Sequence, residues 1–142
     1  MKKERGYSDG TMLTLHRTAV RMAFGYKCFF CGTPIQAQEL EAHHIIKRNG
    51  LLLRYAYRNG VLLCKWPHKD NAQFKMSCHR YAETPAGKRL IDRYLEEMGY
   101  MDYLMERTGS SKQYFVERGI TRLDYVRAMK TELIDFIQAR EA

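Results

Sequence analysis

Residues 28–34 read Cys28-Phe29-Phe30-Cys31-Gly32-Thr33-Pro34, and the fold turns on what this stretch is for. Two cysteines separated by two residues and followed by Gly32 and Pro34 have the chemistry of a turn, with Gly32 supplying the permissive backbone that a knuckle needs. Two further cysteines are present, Cys64 and Cys78. The N-terminal Met1-Lys2-Lys3-Glu4-Arg5 is basic but has no apolar signal-peptide core behind it, which predicts a cytoplasmic chain. There disulfides are disfavoured, and paired cysteines are metal ligands or redox groups. Cys28, Cys31, Cys64 and Cys78 together fit a structural zinc with an all-cysteine shell. The alternatives are buried free thiols, or a redox pair at Cys28 and Cys31, which lacks a surrounding βαβ pattern. His68 competes with Cys78 for the fourth ligand position, because Cys64-x3-His68 is a workable spacing while 13 residues separate Cys64 from Cys78.

Working outward, residues 12–24 read as a helix with Leu15, Ala19 and Met22 on one face and His16, Arg17 and Arg21 near another. It stops at Gly25. Residues 38–46 predict a strand ending in His43-His44-Ile45-Ile46, followed by the basic loop Lys47-Arg48-Asn49-Gly50. Residues 51–64 are rich in Leu, Tyr and Val and broken at Asn59-Gly60, a hairpin or turn signal. Residues 65–77 read as a loop. Helices then dominate. Thr84-Pro85 caps one that carries Leu90, Ile91, Tyr94, Leu95 and Met98 and closes at Gly99. A short one covers 101–107, and another starts at Ser110 with Gln113 in a capping box. The last begins near Thr121, with Leu123, Val126, Met129, Leu133, Phe136 and Ile137 as its stripe. The expected fold class is α+β: a small zinc-stapled β-rich core over 25–83, after a basic leader and helix over 1–24. A helical region over 84–142 packs on that core or mediates a homodimer.

At 142 residues, 45% hydrophobic and 28% charged, the chain has a globular composition and room for one domain or one with an appendage. No apolar run approaches the ~20 residues of a transmembrane helix, so no membrane partner is expected. The net charge of +8 is unevenly placed: residues 1–80 hold 14 Lys/Arg against 5 Asp/Glu, and residues 81–142 hold 10 against 11. A basic field over one half, the half holding all four cysteines, suggests a polyanionic partner, most simply nucleic acid. Charge that merely keeps the chain soluble is the plainer explanation, and charge alone does not decide.

His43 and His44 are adjacent on a predicted strand and so point to opposite sides. One can bind a metal while the other serves as a base. If Cys78 starts a helix, His79 points about 100° away from it, so Cys78 can face the zinc while His79 faces the site of His43.

In that order, Cys-x-x-Cys, His-His-Ile-Ile, Asn-x-Val-x-Leu-Cys and Cys-His resemble an HNH endonuclease of the ββα-metal type with a four-cysteine zinc. The resemblance covers residues 28–80. Within that superfamily, Arg48, Leu53-Arg54-Tyr55, Arg58-Asn59 and the helical tail after Gly87 are similar to phage NinG (Rap) recombination endonucleases, out to about residue 117. The resemblance implies a DNA endonuclease of a bacterial or phage-infected cell, with branched recombination intermediates among its substrates. It makes His44 the general base and Asn59 the loop-orienting asparagine. It makes His43 and His79 the ligands of one catalytic divalent ion, whether Mn, Mg, Co or Ni. The pattern departs from the family at the long Cys64–Cys78 gap and at His43, where aspartate is common.

The reaction expected is phosphodiester hydrolysis giving 5′-phosphate and 3′-hydroxyl ends. Lys47, Arg48, Arg54 and Arg58 are the candidate phosphate contacts. Tyr55, Tyr57 and Trp66 can stack on bases, although aromatics at such spacings also build cores. Two imidazole ligands suit transition ions better than Mg²⁺. The rival readings are a zinc-knuckle nucleic-acid-binding module without catalysis, which has no use for His43, His44, Asn59 and His79, and a helical interaction protein built on residues 84–140.

Overall fold

The computed structural model describes residues 6–36, 39–47 and 50–141. Arg48 and the leader residues 1–5 lie outside the described residues. Helix α1, Asp9–Ala23, opens on Ser8, whose hydroxyl accepts the Thr11 N–H, and carries Asp9 in its first turn, both favourable at a helix N-terminus. Its buried side is Met12, Leu13, His16, Ala19 and Val20. The predicted face is therefore rotated: His16 turns inward, and Leu15 and Met22 are only half-buried.

Strand β1, Leu40–His44, pairs antiparallel with β2, Gly60–Cys64, in the register Leu40–Cys64, Ala42–Leu62 and His44–Gly60. Every residue of β2 is buried, so it is the spine of the core. Between the strands the sequence expectation of β structure is overturned at Leu51–Arg54, which is a helical turn, α2, followed by a 3-10 turn at Tyr57–Asn59. The cause is tertiary: Leu52 and Leu53 are both buried, and the Tyr125 hydroxyl donates to the Leu52 carbonyl at 2.6 Å. The stretch expected as a loop contains kinked 3-10 turns over Lys69–Phe74.

Helix α3, Cys78–Tyr81, starts on a Ser77 cap. Its end abuts α4, Pro85–Met98, at Gly87, where a Cβ would collide with the Tyr81 carbonyl oxygen, so only glycine permits this approach. Thr84 caps α4 as expected, but Leu90 and Met98 of its predicted stripe are exposed. Next come α5, Met101–Met105, α6, Ser111–Arg118, and α7, Arg122–Glu141. Thr121 and Asp124 exchange reciprocal backbone-to-side-chain bonds at the start of α7, a capping box. The buried stripe of α7 is Tyr125, Val126, Met129, Leu133 and Ile137, with Leu123 exposed, and α7 packs along α1 within the same chain. The fold is thus mixed: helices around a small two-stranded sheet. None of the described helices is long and apolar enough to cross a membrane.

Candidate functional site

The four cysteines converge. Gly32 adopts φ +73°, and its N–H bonds the Cys28 carbonyl, closing the turn that aims Cys28 and Cys31. The Phe29 N–H donates to the Leu62 carbonyl at 2.8 Å, tying that turn to β2, which ends in Cys64. Asn71 is fully buried and folds the long connection back. Its Oδ1 accepts the His68 N–H at 2.8 Å, and its Nδ2 reaches the Trp66 carbonyl and Cys78 Sγ. The four sulfurs lie within 4.8 Å of one another. Thiolates ~2.3 Å from a zinc stand ~3.8 Å apart in a tetrahedron, and Cys31 and Cys64 already approach to 3.4 Å, so these residues fit the ion. Cys78 belongs to this group, and His68 stands beside it with Nε2 3.1 Å from Cys64 Sγ. Donation from Cys78 and backbone N–H groups lowers Cys28 to about 4, while burial first pushes Cys64 up, and the hydrogen bond to Cys28, then burial, pushes Cys78 up.

A second cluster lies on the sheet. Glu41 and His43 are two residues apart on β1 and share its face. From α3, His79 meets them, diverging from Cys78 as expected of its neighbour in a helix. The ligand atoms of Glu41, His43 and His79 lie within 4.8 Å of one another. The His79 Nδ1 and Glu41 Oε1 are 2.6 Å apart, and the His43 and His79 rings are 4.9 Å apart. Burial first, then repulsion from His79, holds His43 down to about 4, so its imidazole is neutral at pH 7 and able to ligate. Donors ~2.1 Å from a divalent ion are at most ~4.2 Å apart, comparable to the spacing of these three, so two imidazoles and a carboxylate here could hold such an ion.

His44 turns the other way. Its ring stacks on His16 of α1, centroids 4.6 Å apart and planes 15° apart. His44 Nε2 lies 2.8 Å from the Arg54 carbonyl, and His16 Nδ1 lies 3.1 Å from the Tyr55 carbonyl. A carbonyl only accepts, so His44 carries its proton on Nε2 and keeps Nδ1 as the basic atom. The segment supplying both carbonyls is anchored in turn: the Arg54 guanidinium grips Asp9 through two 2.6 Å contacts, and the Tyr55 hydroxyl donates to the same carboxylate. Asn59 is fully buried. Its Oδ1 accepts from the Ile46 N–H, and its Nδ2 donates to the Ile46 and Leu53 carbonyls, fixing the loop after His44.

Both histidines of the pair line one open cleft of about 720 Å³ between α1 and β1, with Arg17, Arg21 and Lys47. Of the other expected phosphate contacts, Arg54 is paired with Asp9, and Arg58 with Glu132 at 3.1 Å and the Tyr103 ring; Arg48 lies outside the described residues. Tyr55 is buried and Tyr57 packs on Phe136, so both are structural, while Trp66 is exposed. Glu41, His16, Arg17 and Arg21 were absent from the expected site. Strand alternation from His43 points to Glu41, whereas the α1 residues become site residues only through tertiary packing. Comparison of the chain with protein-family models, curated proteins and solved structures gives no match.

Proposed function

We propose that this protein is a metal-dependent endonuclease of the HNH, ββα-metal type, with DNA as substrate and a structural zinc on Cys28, Cys31, Cys64 and Cys78. The observation that carries this reading is the meeting of Glu41, His43 and His79 beside a cleft that His44 also lines. Strand β1 and the short helix α3 present these groups, and β2, which pairs with β1, lies between them in the chain, the strand–strand–helix order that the motif resemblance implies.

Glu41, His43 and His79 would hold a divalent ion, which when bound would supply positive charge to the phosphate being cleaved. His44 accepts a proton at Nδ1 from a water in line with the scissile phosphorus. The water oxygen bonds to phosphorus and the bond to the 3′-oxygen breaks, leaving 5′-phosphate and 3′-hydroxyl ends once that oxygen is protonated from solvent. The Arg54 carbonyl holds the Nε2 proton throughout, and His16 keeps the ring from turning. Asn59 holds the loop that follows. Branched recombination intermediates are among the substrates this reading accommodates.

The test is His44→Ala. Loss of a general base lowers turnover by ~10²–10⁴-fold, while DNA affinity, set by phosphate contacts, stays nearly unchanged. Near-normal turnover in this variant removes His44 from the role.

A further inference from the structure

We propose that the cleft between α1 and β1 is the track for one phosphodiester strand, gripped by Arg17 and Arg21. This rests on the nuclease reading, but the two arginines lie outside every motif that supports that reading. Residues four apart in a helix share a side, with Cα atoms separated by ~6 Å along the axis. Arg17 and Arg21 therefore offer two guanidinium groups in series along the wall facing β1, and both line the cleft with His43 and His44.

Their surroundings distinguish them from Arg54 and Arg58. Arg54 and Arg58 are neutralised by Asp9 and Glu132. Among the described residues, neither Arg17 nor Arg21 has a carboxylate within ion-pair distance. Arg17 donates to the neutral Thr14 hydroxyl at 3.2 Å, and the buried Nε of Arg21 has no hydrogen-bond partner. The acids lining the same cleft are turned to other groups: Glu39 to Lys65 and the Trp66 indole, and Glu41 to His79. The cleft thus holds two planar cations without an acidic partner, next to a cluster suited to a divalent ion. Guanidinium groups bind phosphate through paired hydrogen bonds. A strand seated on them lies against the groups proposed to cut it.

The experiment measures binding of labelled duplex and single-stranded DNA by fluorescence anisotropy across a salt series, with zinc-loaded protein and no added divalent ion. Arg17→Gln and the double variant Arg17→Gln/Arg21→Gln retain the side-chain stems while removing charge. Lys112→Gln/Arg122→Gln removes the same charge outside the cleft. The expected result is about tenfold weaker binding per cleft arginine lost. The double variant lowers the salt slope by ~1.8 on duplex or ~1.4 on single strand, and the magnitude identifies the form that occupies the track. Wild-type binding with an unchanged slope in the cleft variants overturns the track alone, as does an equal loss in the control variant. Polyglutamate displacing DNA as well as unlabelled DNA does also overturns it. Failure of the wild-type chain to bind either nucleic acid overturns the nuclease reading and the track together.

Discussion

Replacing Asn59 by alanine tests how the loop after His44 is held. Asn59 is fully buried and makes three side-chain hydrogen bonds: from the Ile46 N–H at 2.9 Å, to the Ile46 carbonyl at 2.9 Å and to the Leu53 carbonyl at 3.2 Å. Each is worth ~1 kcal/mol net, and a buried group left unpaired costs ~1–3 kcal/mol. The substitution strands three backbone groups, so the expected loss of stability is about 3–4 kcal/mol, large for a single site. Asn59→Asp retains the volume and the acceptor but sets a carboxylate oxygen against two carbonyls. It is expected to be at least as damaging at pH 7 and to improve at acid pH, where the carboxyl is protonated and donates again. Its pKa is raised in the folded state, so its stability declines as pH climbs from the ordinary aspartate value up through the raised one. Urea unfolding of the zinc-loaded proteins, followed by circular dichroism, measures both. An alanine variant within ~0.5 kcal/mol of wild type, or an aspartate variant equal to wild type at neutral pH, refutes the reasoning.

Elemental analysis is expected to find one zinc per chain. Strong chelation should unfold the protein, because structural zinc contributes ~10–16 kcal/mol in small zinc domains against a total stability of ~5–15 kcal/mol. Unchanged circular dichroism after zinc removal contradicts this. His68→Ala is expected to retain the zinc, since Cys78 completes the sulfur cluster. His43, neutral in the fold to about pH 4, charges in the unfolded chain below about pH 6.5. Stability present at neutral pH is therefore lost as pH falls from about 6.5 to about 4, by up to ~3 kcal/mol. A His43→Asn variant should lack that component in paired urea titrations. His16→Ala removes the ring stacked on His44 and is expected to slow cleavage roughly 10–100-fold with little change in KM.

The chemistry of this chain was most legible where residues act through local geometry. The Cys28–Cys31 spacing, Gly32 and the separation of Cys78 from its neighbour His79 into two different clusters are short-range features, and the structure realises each of them. The same is true of the Thr84, Ser110 and Thr121 caps. Legibility failed where distant partners decide. Three leucines and a tyrosine at 51–55 suit a strand by propensity, yet burial of Leu52 and Leu53 and the bond from Tyr125 make a helical turn there. The ion pairs of Arg54 with Asp9 and of Arg58 with Glu132 join residues far apart in the chain and have no local signal. His16 has no local signal as a neighbour of His44, because α1 reaches β1 only in the folded chain. Glu41 was accessible in principle, two residues from His43 on one strand face. It offers an oxygen donor beside the two imidazoles that sequence alone assigned to the proposed ion.

Cleavage of supercoiled plasmid by the zinc-loaded chain, with Mn²⁺, Co²⁺, Ni²⁺ and Mg²⁺ each added at equal concentration, tests the central claim most directly. Nicked or linear product is expected only with added ion. It should be greatest with transition ions because two of the three proposed ligands are imidazoles, and His43→Asp should shift preference toward Mg²⁺. His79→Ala and Glu41→Ala should weaken use of the ion while leaving the zinc in place. If wild-type protein that binds DNA cleaves with none of these ions, the chain is a zinc-knuckle binding module, and the proposed catalytic role of Glu41, His43, His44 and His79 is wrong.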